Sequence, residues 1–364
     1  MSAPQFTVRA IRARAVAVPM RFVLGTSAAA VRTAPLLLVD VETDEGITGR
    51  TYLFCYVPAA AAGIISMLGA VEAMVKGECI DPAVQWQELA KRFRLIGVQG
   101  IVRMAMAAFD CACWDALAIA ANKPLVEYLG GVARPVRAYN SCGLGLMPAA
   151  QLADEAEKLL EGGFRAVKLR LGYSTLDEDL AAFRAVRERV PQDVAIMTDY
   201  NQALSVEEAL ARGRALDACG LTWIEEPIRH DDYRGCARLA QELKTPIQIG
   251  ENFSTMHAME EALGTHACDY VMPDLERIGG VTGWKSAAAF AQARAVPMSS
   301  HLYPETSAHL LAVTPTAHWL EYVDWANAIV EEPLQIADGH AVIPARPGTG
   351  LVWNESAVAR YRLA

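Results

Sequence analysis

The sequence predicts an α/β protein whose larger part is a (β/α) barrel, on three observations. Between about residue 135 and residue 326, short apolar stretches with strand character alternate with longer helical ones. Strands joined by helices make a parallel sheet. Six or more such units follow one another, which suits a closed barrel better than an open doubly wound sheet. No GxGxxG or Walker sequence supports the open sheet.

Residues 1–128 read as an α+β domain. "PLLLVDVETDEGITGRTYLF" gives two strands around a turn at Asp44-Glu45-Gly46. Residues 84–121 are helical in period, with Asp110 and Asp115 interrupting an apolar face. Cys111 and Cys113 fall on that face and read as core, because no second pair completes a metal site.

The barrel, residues 129–326, starts its clearest series at "AVKLRLG" (166–172), where Val167, Leu169 and Leu171 alternate with Lys168 and Arg170. "IMTDYN" then leads into a helix that Ser205 and Glu208 open as a capping box and Gly220 closes. "TWIEEP", "PIQIGEN", "YVMPDL", "PMSSHL" and "HWLEYV" are the following strands. Residues 327–364, with "IPARPGTGLVW", leave the pattern and are expected to pack back on the first domain.

Composition narrows the partners. Acidic residues outnumber basic ones, 42 to 33, which argues against nucleic acid and anionic membranes but not against a small acidic substrate. Met-Ser-Ala-Pro-Gln has no basic start leading to an apolar segment, so no signal peptide is read. The run "AAAAGIISMLGAV", broken by Glu72, reads as too short for a membrane span. Eight scattered cysteines are expected as reduced thiols in a cytoplasm.

Most of the strands end in an ionisable residue: Lys168, Asp199, Glu225, Glu251, Asp274, His301 and Glu321. Each gap is about one strand plus one helix, so these side chains gather at one end of the barrel, where barrel active sites are built. The two cations of "VKLRL" therefore face a ring of carboxylates. One acid at a strand end is commonly a helix cap or a surface charge. Three on successive strands, Asp199, Glu225 and Glu251, would repel one another in a dry pocket. A divalent cation resolves that, and all-oxygen ligands favour Mg²⁺ over Zn²⁺. Glu226 points away from Glu225 and supports the ligands. His301 beside Asp274 suits a base with a fixed tautomer, and Glu321 suits a proton donor if its surroundings raise its pKa. The remaining histidines read as structural. Cation, His base and acid together fit proton abstraction alpha to a carboxylate.

These stretches, with "MPDLERIGGVTGW", "PMSSHLYPE" and "TAHWLE", resemble the mandelate racemase group of the enolase superfamily over essentially the whole chain. The resemblance implies a (β/α)7β-type modified TIM barrel with an α+β N-terminal capping domain, and a homo-oligomer. It implies Mg²⁺ on Asp199, Glu225 and Glu251, and His301 with Asp274 as the base for the R-configured carbon. Glu321 and Lys168 would contact the substrate carboxylate. Asn201 and Ser141 would line the site, and Tyr56, Leu24 and Val31 would close over the substrate's side chain. Arg170 stands where the family's second lysine acts as base for the other face. A guanidinium is not deprotonated in proteins, so Arg170 is expected as a fixed cation pairing with the substrate carboxylate or a protein acid. The expected activity is one-base dehydration of a 2,3-dihydroxy acid. The alternatives are a racemase of apolar or aromatic 2-hydroxy acids and a non-catalytic carboxylate-binding barrel.

Overall fold

A computed structural model describes residues 5–27 and 30–363. The first domain opens with an antiparallel sheet of β1 (Val8–Gly25), β2 (Ala30–Thr43) and β3 (Thr48–Phe54), in that order. Seven successive residues of β2, Ala34 to Asp40, are buried, because the strand is central and both its faces are covered. The β2–β3 turn falls where expected: Thr43 N–H donates to Ile47 O, and Gly46 takes φ +84°. Helices α1 (Pro58–Val75), α2 (Pro82–Phe93) and α3 (Gly100–Ala120) cover the sheet. The helical stretch at 84–121 is thus two helices, parted at Gly97 (φ +93°). The α1 run is also longer than its sequence suggests. It forms an 18-residue helix of mean hydropathy 1.6, long and apolar enough to cross a membrane by length and composition alone. Here one face of it, Ala61, Ile64, Leu68, Val71 and Val75, is buried within the capping domain.

A short helix, α4 (Leu125–Tyr128), leads to the barrel. Its strands and helices alternate as β4 (Val136–Asn140), α5 (Ala149–Leu159), β5 (Ala166–Arg170), α6 (Leu176–Arg189), β6 (Ala195–Asp199) and α7 (Val206–Leu216). Then come β7 (Ile224–Glu225), α8 (Tyr233–Glu242), β8 (Ile247–Ile249), α9 (Met256–Gly264) and β9 (Tyr270–Val271). After α10 (Leu275–Ile278) and α11 (Gly280–Ala293), residues 298–301 take the seventh strand position through single bridges, Val271 to Met298, Asp274 to His301 and Met298 to Ala317. Helix α12 (Pro304–Ala312) follows, and β10 (Leu320–Tyr322) pairs in parallel with β4 and closes the ring. This is the (β/α)7β barrel.

Local chemistry sets the helix starts, with two departures from the sequence reading. Ser205 caps α7 by accepting from Glu208 N–H, but the Glu208 carboxylate meets the Ser205 hydroxyl rather than its backbone. The reciprocal box is at Thr175 and Glu178. Helix α7 stops at Leu216, four residues before Gly220, which serves the turn beyond.

The 327–364 segment first gives a hairpin, β11 (Gln335–Ala337) and β12 (His340–Val342), to the barrel through β12 and β4. Only then does it reach the capping sheet. Trp353 Nε1 donates to Asp40 Oδ1, and helix α13 (Glu355–Tyr361) follows. Asp110 and Asp115 explain themselves at this seam. Asp110 accepts from Thr282 N–H and its hydroxyl at the start of α11. Asp115 accepts from the backbone N–H groups of Arg50 and Thr349 and from the Thr349 hydroxyl, so one buried carboxylate joins α3, β3 and the C-terminal segment. Asp115→Ala strips these donors of their acceptor and is expected to cost about 3 kcal/mol or more. Chemical denaturation of the variant checks it, and an unchanged midpoint would refute the role.

Candidate active site

Lys168, near the end of β5, is 1% exposed and has three carboxylates around it. Its Nζ lies 2.5 Å from Glu225 Oε1, 2.8 Å from Glu321 Oε1 and 3.4 Å from Asp199 Oδ2. Burial alone would discharge such an amine, but Glu225 and Glu321 hold its pKa well above the usual value. Lys168 is an ammonium ion.

Asp199 and Glu225 end β6 and β7, Glu251 lies two residues past β8, and their ligand oxygens lie within 4.8 Å of one another. Register puts Asp199 beside Glu225 in the parallel ladder. Glu251 reaches the group after Gly250, where an added Cβ would press on Phe253 and on Met272 N at 2.9 Å. Burial and the charges of Asp199, Glu321 and Glu251 push Glu225 up to about 8, despite Lys168. The group thus lacks positive charge, which suits a hard divalent cation. Its outer support is ordered too. Trp223 Nε1 and Gln248 Nε2 donate to Glu225 Oε2, and Asn201 donates to Asp199 through backbone and side chain. Glu226 turns away from Glu225, as expected, and accepts from Asn252 Nδ2.

His301 and Asp274 meet across their bridge, with Nδ1 2.6 Å from Asp274 Oδ2. The other nitrogen, Nε2, is 3.4 Å from Glu251 Oε2 and faces the same cavity as the cation ligands. Burial opposes a charge on the ring, but Glu251, Glu321 and Asp274 together raise its pKa to about 10 without a metal. Glu321 departs from the sequence reading. Burial would raise its pKa, yet Lys168 and His301 outweigh that and hold it below the usual carboxylate range. It is a carboxylate that orients its neighbours, not a poised acid.

Arg170 lines the same cavity but does not find the protein acid that was one of its two expected partners. Its strand neighbour Lys168 meets the carboxylates, but Arg170 Nη1 donates to Ser141 O (3.0 Å) and Gly143 O (2.6 Å), and Nη2 to Ser141 Oγ (2.9 Å). It pairs with no acid among the described residues. Ser141, fully buried, lies behind it rather than on the cavity wall. The guanidinium fork fits the carbonyls of the turn after β4, where a point charge would not.

The cavity above these groups measures about 380 Å³. Its polar floor is Lys168, Arg170, Asp199, Glu251, His301 and Glu321, with Asn201 beside them. Its upper wall includes Leu24, Val31 and Tyr56, as the resemblance implied, and also Phe54 and Trp325. Leu24 and Val31 are partners in the β1–β2 ladder. Asn201 Oδ1 is buried without a partner among the described residues. Arg277 was not read from the sequence. It donates to Glu251 O and Asn252 Oδ1 and lies under the Tyr56 ring, 4.8 Å from its centroid. Its place right after α10 begins, three residues past Asp274, was the available signal. Asn201, Gln202, Glu226, Leu302 and Tyr303 all take positive φ around this rim, as strained backbone does at functional sites.

A parallel barrel with three converging carboxylates and a His–Asp dyad, walled by a second domain, is the arrangement of a metal-assisted enzyme. Two family models agree: "Mandelate racemase / muconate lactonizing enzyme, N-terminal domain" matches residues 8–130 and "Enolase C-terminal domain-like" residues 151–357. The chain belongs to the mandelate racemase / muconate lactonizing enzyme family of the enolase superfamily, and it is an enzyme. An enolase from alpha pretobacterium bal199 with bound Mg is 44% identical at a TM-score of 0.96, over 98% of this chain and 100% of that one. An enolase from Bradyrhizobium complexed with magnesium and mandelic acid is 41% identical at a TM-score of 0.95, over the whole of both chains. The 3,6-anhydro-alpha-L-galactonate cycloisomerase of Streptomyces coelicolor is 32% identical over 89% of this chain and 91% of its own. Sugar-acid dehydratases are also among the relatives, such as the arabinonate dehydratase of Saccharolobus solfataricus, 29% identical over 90% of each chain.

Arg170→Met leaves two carbonyls and a hydroxyl of the β4 turn without their donor. It is expected to lower stability by roughly 2–4 kcal/mol, read from thermal unfolding. A Tm equal to the parent's would show the guanidinium is not structural.

Proposed function

We propose that the protein abstracts the α-proton of a 2-hydroxy carboxylate with His301 as base, assisted by Mg²⁺ held on Asp199, Glu225 and Glu251. The cation would supply Lewis-acid charge where the substrate's carboxylate gains negative charge. The magnesium in the solved relatives supports that choice. Asp274 accepts from Nδ1–H, so Nε2 is the nitrogen toward the cavity, and it would carry the free pair once a bound cation offsets the carboxylate charge that holds the ring protonated. Lys168 donates to the substrate carboxylate, and Glu321 holds Lys168 and the Leu302 N–H in place. Asn201 Oδ1, unpartnered, accepts from a substrate hydroxyl.

One observation carries the outcome. The cavity holds a single imidazole, and Lys168 and Arg170 on β5 are both engaged cations. With one base, the imidazolium formed at Nε2 returns its proton to a departing β-hydroxyl, and the overall reaction is dehydration of a 2,3-dihydroxy acid. The sugar-acid dehydratases among the relatives support this reading. A second reading, racemisation of an aromatic 2-hydroxy acid, is favoured by the apolar wall of Leu24, Val31, Phe54 and Trp325 and by the mandelic acid held by the Bradyrhizobium relative. A cytoplasmic homo-oligomer fits eight free cysteines and the exposed Leu95 and Ile96.

Proton NMR in D₂O with Mg²⁺ separates the two reactions. The one-base reading expects α-exchange of R-configured acids without inversion, and loss of water from those with a β-hydroxyl. Exchange and interconversion of both mandelate enantiomers would instead establish racemisation. His301→Asn is expected to abolish exchange in either case. Glu225→Gln is expected to weaken Mg²⁺ binding by roughly 100-fold or more in calorimetry; unchanged affinity would move the cation elsewhere.

A further inference from the structure

Two buried polar side chains stand directly behind the base and have no part in the chemistry above. Tyr303 and Glu276 are 2% and 1% exposed, and neither lines the cavity. Leu302 (φ +53°) and Tyr303 (φ +50°) are consecutive non-glycine residues in the left-handed region, immediately after His301. Such backbone persists only where its surroundings hold it. Here the Tyr303 hydroxyl does part of the holding. It accepts from Phe54 N–H at 3.1 Å, from the last residue of β3 in the capping domain, and donates to Glu276 Oε2. Glu276 N–H in turn donates to Asp274 Oδ1 at 2.8 Å, while Asp274 Oδ2 holds His301 Nδ1. The other Glu276 oxygen has no partner among the described residues, so Tyr303 is its side-chain anchor there.

The chain of bonds therefore runs from the roof to the base. Phe54 and, just beyond it, Tyr56 and Val57 line the cavity's upper wall. We infer that Tyr303 and Glu276 are positioning residues, which register the capping domain's roof against the His301–Asp274 dyad. His301 is aligned for proton transfer when Phe54 is seated on the Tyr303 hydroxyl. The inference rests on His301 being the base.

Tyr303→Phe isolates the link, because the ring keeps its packing against Tyr52, 5.4 Å between centroids, and loses only the hydroxyl. With Mg²⁺ and a substrate that the parent protein exchanges, Tyr303→Phe and Glu276→Ala are expected to lower kcat by at least about tenfold. KM should stay within about threefold, since the substrate contacts are untouched. Glu276→Gln still offers an oxygen to Tyr303 and should keep most of the parent kcat. The double variant Tyr303→Phe/Glu276→Ala should be no slower than either single one. A folded Tyr303→Phe protein with parental kcat and only a lower Tm would overturn the inference, as a pair that merely stabilises would behave so. If Tyr303→Phe does not fold, the two Glu276 variants decide, and equal kcat values for Gln and Ala refute the link. A parent protein that exchanges no acid would fail the base assignment itself. The link is then read from the His301 Nδ1 proton in ¹⁵N-histidine NMR, assigned by its absence in His301→Asn. Tyr303→Phe is expected to shift that resonance, and an unmoved one refutes the link.

Discussion

One buried ammonium organises the floor of this barrel. Lys168 sits among Glu225, Glu321 and Asp199 with almost no access to water. Removing such a charge from water is costly, and only close, well-directed partners offset it. The same arithmetic applies to the acids. Without Lys168, Glu225 and Glu321 would face each other and Asp199 in a medium that screens little. The cation thus lets three strands bring acids together, and it leaves room for one more positive charge beside Glu251.

The architecture divides the site between a floor built by the barrel and a roof built by the capping domain. The floor residues stand at or just past the ends of short barrel strands: Lys168, Asp199 and Glu321 within parallel ladders, His301 in a single bridge to Asp274, and Glu251 two residues beyond β8. The roof comes from the β1–β2 ladder end and from the stretch after β3. Buried carboxylates stitch the two parts: Asp110 to the start of α11, and Asp115 to the C-terminal segment. None of the residues in these bonds lines the cavity, so they hold the seam without adding polar groups to its apolar wall.

Arg170 shows how the same strand puts two cations to different uses. Lys168, with a compact head, fits a crowd of carboxylates. The planar fork of Arg170 spans two carbonyls and a hydroxyl and so secures the turn after β4. Its two terminal nitrogens are held by the protein, while Nε, buried, has no partner among the described residues, and the residue still lines the cavity as a cation that does not give up a proton.

The sequence by itself determined the alternation of strands and helices, and hence the barrel. It also determined which acids meet, because strand-end spacing of one βα unit is a geometric statement in a closed ring. Asp199, Glu225, Glu251, Asp274 and His301 were legible for that reason, and their clustering follows. Side-chain direction was not legible. Arg170 lies two residues from Lys168 and shares its face of the strand, yet its length lets it turn back to a loop that no spacing rule locates. Ser141, its partner there, is fully buried and does not line the cavity, whereas Arg170 does. Glu321 carries the same carboxyl group as Glu225, but Lys168 and His301 lower the one while crowding raises the other. Arg277, Glu276 and Tyr303 come from a short helix and a left-handed turn with no periodic signature. Only the tertiary structure decided their roles, because charge state and hydrogen-bond partner depend on neighbours far apart in the chain.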